Sequence, residues 1–211
     1  MNLKKINPNL QNALIENGII EATEVQADCW STLKSGADAV IILPKGEGKS
    51  TTIVYTVIQK LEKAVGESTR ALILVKDKEA VIEMLDMFEK YAKYTDLRVF
   101  GTHEKGDLDY DKNQISLGVD VLIGTPIRIN AMFSTAGFNM TTIKIFVVDD
   151  ADELFKLRHD ATVQRLSMSV EKTQRVFFSA DLTERVEVLA DKIMLEPFLF
   201  GVDDYEDEEE D

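Results

Sequence analysis

The sequence predicts an α/β domain with a mainly parallel central sheet and helices on both faces. Three observations predict it. Short apolar runs rich in β-branched and aromatic residues recur along the chain, and stretches with helical spacing separate most of them. The runs are continuous rather than alternating, as strands covered on both faces require. Two of them end abruptly in polar clusters, LPKGEGKST and DDADELF, at the carboxyl ends of strands, where ligands bind in such sheets.

The elements follow in order. Asn7 suits a helix cap, with Pro8 at the first helical position and Gly18 at the stop. A second helix runs from near Thr23 to Ser35. ADAVIIL (37–43) reads as a buried strand, KSTTIVYTVIQKLEKA (49–64) as a helix and RALILV (70–75) as a strand. KEAVIEMLDMFEKYAKY (78–94) is an amphipathic helix with Val81, Leu85 and Phe88 among its apolar positions. LRVF (97–100), VDVLIGT (119–125), IKIFVV (143–148) and QRVFFS (174–179) are further strands. With no repeat or Pro/Gly/Ser-rich linker, one domain is expected over residues 1–202, its N-terminal helices in 1–36.

Composition narrows the function. At 211 residues and 45% hydrophobic content the chain can bury a sizeable core. No apolar run approaches the ~20 residues of a membrane span, and the start has no secretory h-region. Cys29 is the only cysteine, which excludes a disulfide framework and a cysteine metal cluster. A cytoplasmic location without membrane contact is the expectation. Net charge is −14, with eight acids in the final nine residues, 203–211, read as a solvated, disordered tail. The remainder, 30 acidic and 24 basic residues, argues against strong autonomous nucleic-acid binding.

IILPKGEGKST (41–51) follows a strand and opens a helix. Gly46 and Gly48 permit tight backbone geometry, and successive N–H groups can then cradle phosphates at the helix N-terminus. Pro44, Lys45 and Glu47 complete the loop, and Thr51 follows it. Lys49 is expected on the β- and γ-phosphates and Ser50 on Mg²⁺. The strict pattern has Gly where this chain has Leu43. The competing reading is a plain glycine turn. A triphosphate site needs a carboxylate near the metal at the end of another buried strand, and Asp149 is placed for it. The DDAD run also reads as a helix start rich in first-turn acids.

With these motifs assembled, the chain resembles the first RecA-like domain of the DEAD-box RNA helicases up to about Val202. ATEVQ (22–26) resembles the Q motif, PKGEGKS (44–50) the P-loop, and GTPIRI (124–129) the Thr-Pro-Gly-Arg motif with Ile127 for Gly. DDAD (149–152) stands for Asp-Glu-Ala-Asp, and FSAD (178–181) is similar to Ser-Ala-Thr with Asp181 for Thr. The resemblance implies ATP and Mg²⁺ as cofactors. Gln26, with Thr23, would read adenine, although the same pair spells a capping box. Lys49, Asp149 and Asp150 would be catalytic. Mg²⁺ would sit on Ser50 and Asp149, mostly through water, and Asp150 would orient the attacking water. RNA contacts are implied at Lys78, Gly101, Thr125, Pro126 and Arg128, a solvated Arg128 being the alternative. Ser179 and Ala180 would couple hydrolysis to RNA binding, unless Ser179 simply ends a strand.

Departures matter too. MNLKKINP lacks the aromatic that stacks on adenine. KDKEAV (76–81) replaces Pro-Thr-Arg-Glu-Leu-Ala, keeping Glu79 and putting Lys78 for Arg; the paired glycines of the next loop are Gly101 and Thr102. Asp181 adds charge near Asp149 and Asp150, a disturbance of their ionisation or a demand for another cation. Asp150 replaces a glutamate and loses roughly 1.5 Å of reach. No second RecA-like domain follows in this sequence. The expected protein is therefore a weak, Mg-dependent ATPase coupled to RNA or ribonucleoprotein binding, without autonomous unwinding, its arginines coming from a protein partner. The rival is a nucleotide-binding regulatory or adaptor module with little or no catalysis. A small-molecule kinase leaves TEVQ and TPIRI unexplained.

Overall fold

A computed structural model describes residues 6–201. The acidic tail expected at 203–211 lies outside the described residues.

The chain opens with two capped helices. Asn7 accepts hydrogen bonds from the N–H groups of Asn9 and Leu10 and starts α1 (Pro8–Glu16). Thr23 and Gln26 close a reciprocal capping box on α2 (Glu24–Ser35), and Gly36 ends it in the left-handed conformation. Then β1 (Ala39–Ile42), α3 (Lys49–Leu61), β2 (Ala71–Leu74), α4 (Lys78–Tyr91), β3 (Val99–Thr102), α5 (Leu108–Ser116), β4 (Val121–Gly124) and α6 (Pro126–Ser134) alternate. A 3-10 turn at Met140–Thr142 leads into β5 (Ile145–Val148), and α7 (Ala151–Lys156) and α8 (Asp160–Met168) precede β6 (Gln174–Ser179). The last elements are α9 (Glu184–Ile193) and β7 (Phe198–Phe200).

The seven strands form one sheet in the order β3-β4-β2-β5-β6-β1-β7. Every pairing is parallel. Successive side chains alternate between two cores. Ala39, Ile41, Ile73, Ile123, Val147 and Phe178 pack against α1, α2, α3 and α4. Val40, Leu72, Leu122, Phe146, Val148 and Phe177 pack against α6, α7, α8 and α9, with Ile115 of α5. Burial on both sides is why the strands read as unbroken apolar runs.

Some boundaries moved. The strand expected at 97–100 lies two residues later, at Val99–Thr102. Arg98 is held instead by Asp120, through its backbone N–H at 3.1 Å and its Nε at 2.7 Å. The helix expected at 49–64 stops at Leu61, because Glu62 turns to φ +61°. The helix expected at 78–94 stops at Tyr91. β7 was not anticipated. It is a three-residue edge strand with Phe198 and Leu199 half exposed, too short to give a period.

Candidate nucleotide site

The sheet topology brings the phosphate loop and the acidic run together. Both leave the carboxyl ends of strands, β1 and β5, with only β6 between them. They line one open cleft of about 490 Å³ with Lys45, Gly46, Gly48, Lys49, Ser50, Thr51, Asp149 and Asp150. That volume is within the usual range for small-molecule sites, roughly 300–1,000 Å³. Pro44 and Glu47 are exposed on the loop and do not line the cleft.

The loop is shaped for an anion. Gly46 and Gly48 have φ of +90° and +84°, a conformation that L side chains rarely adopt. A Cβ on Gly48 would also stand 2.6 Å from the Gln26 amide nitrogen. Gly48 is the N-cap of α3 and provides no side-chain cap, unlike Asn7, Thr23, Asp77, Asp107, Thr125 and Thr183 on their helices. The first N–H donors of α3 are thus uncapped at the cleft, the condition under which a helix N-terminus takes phosphate.

Lysines and acids alternate around the cleft. Lys49 is 8% exposed. It contacts Asp149 at 3.2 Å and makes a closer ion pair with Asp150. Burial pushes the Asp149 carboxyl up from its usual range, against the pull of Lys49, and Asp152 adds to the rise. Asp150 stands at the N-cap position of α7 with φ +49°, yet makes no cap bond. Its side chain serves the cleft, so the plain helix-start reading fails for this residue. Glu153 is more than a first-turn acid. It bridges Lys45 at 2.8 Å and Lys76 at 2.7 Å, and these bonds, Lys45 first, hold its carboxyl down at about 2.

Sequence reasoning missed Lys76 and Glu153 as a pair. The available signal was that Lys76 directly follows the predicted strand 70–75. The cleft also has an apolar side, Ala80 and Met84 of α4, with Glu83 beside them.

The residues fit a magnesium ion. Asp149 supplies a nearly buried carboxylate, and the Ser50 hydroxyl on the same cleft makes no hydrogen bond among the described residues. No group of three His, Cys, Asp or Glu ligands exists among the described residues. Mg²⁺ suits such a sparse set, since it binds through one or two carboxylates, water and substrate phosphates.

Other expected residues lie elsewhere. Thr23 and Gln26 do not line the cleft. Gln26 is 4% exposed; its carbonyl accepts from Thr23 N–H at 3.1 Å, and its amide nitrogen donates to Gly48 O and the Thr52 hydroxyl. The capping box is therefore formed and extended into a tie on the phosphate loop. Ser179 does more than end a strand. Its hydroxyl lies 2.9 Å from the Asp152 carboxylate, and Ala180 N–H donates to the same carboxylate at 3.3 Å. Asp181 lines a second cleft, beside Lys156, Arg158 and Arg185. It does not account for the raised Asp149 carboxyl.

Most of the expected RNA-contact positions are engaged inside the protein. Arg128 is 6% exposed rather than solvated; Nε donates to His103 O at 2.8 Å, Nη2 donates to Gly106 O, and Asp111 lies 3.6 Å away. Thr125 is buried and donates to Glu104 at 2.6 Å while capping α6, where buried Pro126 takes the first position. Lys78 opens α4, half buried, without an ion pair among the described residues. Gly101 is a packing glycine. A Cβ there would meet Leu85 at 2.6 Å and Val81 at 2.7 Å. Gly101→Ala is expected to cost about 1–3 kcal/mol through overpacking under α4. Denaturant titration would read this as a lower midpoint; an unchanged midpoint would mean that α4 yields at no cost.

The chain matches the DEAD/DEAH box helicase family model over residues 23–189. It belongs to this family. DEAD-box ATP-dependent RNA helicase 15 of Arabidopsis thaliana is 26% identical over 208 residues, covering 94% of this chain and 47% of that protein. ATP-dependent RNA helicase ROK1 of Eremothecium gossypii is 30% identical, covering 92% of this chain and 36% of that protein. The crystal structure of a DEAD box protein from Methanococcus jannaschii superposes with a TM-score of 0.85 at 21% identity, over 92% of this chain and 54% of that one. That likeness establishes the RecA-like fold of this DEAD-box chain, which spans about half or less of the length of these curated relatives.

Proposed function

We propose that this DEAD-box chain binds and hydrolyses ATP in the Lys49–Asp149–Asp150 cleft, in a cycle coupled to RNA or ribonucleoprotein. The observation that carries the reading is the uncapped N-terminus of α3 facing a cleft with paired Lys49, Asp149 and Asp150. On ATP binding, Lys49 exchanges these carboxylates for phosphate oxygens, and the first N–H groups of α3 donate to the remaining phosphate oxygens. Asp149 and Ser50 would hold a divalent cation, mostly through water, and such an ion would neutralise charge on the phosphates. Asp150 orients the attacking water from a side chain one methylene shorter than glutamate. Adenine reading by Gln26 requires an exchange, since both its amide hydrogens are already donated.

Turnover by this chain alone is expected to be slow, without autonomous unwinding. Three lysines line the cleft and no arginine does among the described residues, and an arginine finger is worth about 10³–10⁵ in rate. A protein partner would supply those arginines. RNA contact would run through Lys78 and the backbone near Thr125 and Pro126, because Arg128 is engaged internally. Ser179 and Ala180 transmit the state of the acidic run through Asp152. A second reading, a nucleotide-binding adaptor with little catalysis, is favoured by the same internal engagement of Arg128.

One titration series separates them: ATP binding and turnover, with and without single-stranded RNA, for wild type and Lys49→Ala. The enzyme reading expects RNA-stimulated turnover that Lys49→Ala abolishes. Tight ATP binding without turnover in either condition would favour the adaptor. Unchanged binding and turnover in Lys49→Ala would remove the site assignment altogether.

A further inference from the structure

Lys76 lines the nucleotide cleft but belongs to neither the phosphate loop nor the acidic run. It stands where the resembled motif begins with proline, so the resemblance assigns it no role. Sheet register puts it there. Leu74 of β2 pairs with Val148 of β5 in parallel, and Lys76 and Asp150 each lie two residues further on. Their side chains meet, with Lys76 Nζ 3.2 Å from Asp150 Oδ2. Lys49 holds the other oxygen, Oδ1. The Asp150 carboxylate thus has one lysine per oxygen. Nothing in α7 secures it, because it makes no cap bond. Lys76 is itself steadied by Glu153 at 2.7 Å, and Glu153 by Lys45 at 2.8 Å.

We infer that Lys76 is a positioning residue, which keeps the Asp150 carboxylate oriented in the cleft once Lys49 leaves it for phosphate. The role in turnover rests on the ATPase reading above; the hold on Asp150 does not. Without Lys76, the departure of Lys49 would leave a short carboxylate at 13% side-chain exposure with no cation on either oxygen. Such a group would rotate or draw Lys49 back. Lys76 removes both options at a position set by the backbone of the sheet.

The first test uses no nucleotide. Lys49→Met, Lys76→Met and the double variant of the full chain are compared by chemical denaturation. Because both lysines share Asp150, the double variant is expected to raise the unfolding constant about fivefold or more beyond the product of the single effects. The excess should vanish in an Asp150→Asn background. Multiplicative single effects, or an excess that survives Asp150→Asn, would overturn the hold.

The second test is kinetic. Lys76→Met is expected to lower kcat for ATP by about tenfold or more, with KM changed less than threefold, since water positioning is sensitive to sub-ångström placement. Lys76→Arg should restore most of the loss. An unchanged kcat, or a loss confined to KM, would overturn the positioning role. A wild-type chain that turns over no ATP would sink the ATPase reading, and the denaturation cycle alone would then decide whether Lys76 holds Asp150.

Discussion

Asp120→Ala is expected to lower folding stability by about 3–5 kcal/mol, the usual cost of leaving buried charges without their partner. Asp120 is fully buried at the amino-terminal edge of the sheet, just before β4. Its Oδ1 accepts from Arg70 Nη2 at 2.6 Å, Arg70 Nε at 3.2 Å and Val65 N–H at 3.2 Å. Its Oδ2 accepts from Arg98 Nε at 2.7 Å and Arg98 N–H at 3.1 Å. Burial alone would raise this carboxyl, but the Arg98 and Arg70 bonds outweigh it and bring it down to about 2. The folded value lies below the ordinary carboxylate value of 3.8, so Asp120 contributes stability above about pH 4 that is lost as pH falls through 2. Denaturant midpoints at neutral pH and between pH 4 and 2 check both statements. Wild type and variant should converge at the acid end. A neutral-pH loss within a few tenths of a kcal/mol would mean that the two arginines find other acceptors. Total stabilities of only about 5–15 kcal/mol make the expected loss a large fraction of the whole.

Asp149→Asn is expected to separate stability from activity. Asp149 is 7% exposed, and burial disfavours its charge. The isosteric amide keeps an oxygen for the Asp150 N–H, which donates to Oδ1 at 2.9 Å. It leaves Lys49 paired with Asp150. The free protein should therefore be as stable as wild type or more stable, by about 1 kcal/mol, because a buried charge is gone while its geometry remains. Magnesium-dependent nucleotide binding or turnover should fall by roughly 10–100-fold or more, the range for groups that hold a metal through water. Thermal unfolding and nucleotide titration in magnesium measure the two halves. A destabilised variant with unaltered magnesium dependence would reverse the assignment of Asp149.

These two aspartates also show where sequence reading works and where it stops. Asp149 was legible because it ends a continuous apolar run and has a phosphate loop as its counterpart. Asp120 carried no signal. Its partners Arg70 and Arg98 are 50 and 22 residues away, and no local pattern encodes a contact between strand starts. The solvated alternative for Arg128 fails for the same reason. Helix position suggested an exposed face, whereas the carbonyls of His103 and Gly106 fold over it. The resemblance implies an RNA contact at Gly101, and the fold adds a packing reason for its missing Cβ, against Leu85 and Val81 of α4. Gln26 carried one local reading, the capping box, and one implied by resemblance, adenine recognition; the structure realises the capping box while adding a bond to Thr52 that neither required.

The sequence by itself determined the α/β class, the parallel sheet, the glycine loop at Gly46–Gly48–Lys49 and the acidic strand end at Asp149. These depend on periodicity, glycine conformation and strand ends, all of which are local. Only the tertiary structure decided which charges face one another. It placed β2 beside β5 in a register that brings Lys76 to Asp150, and it turned Asp150 away from capping α7. Short-range preferences are written residue by residue along the chain. Charge pairing depends on distances that exist only once nonconsecutive strands have aligned.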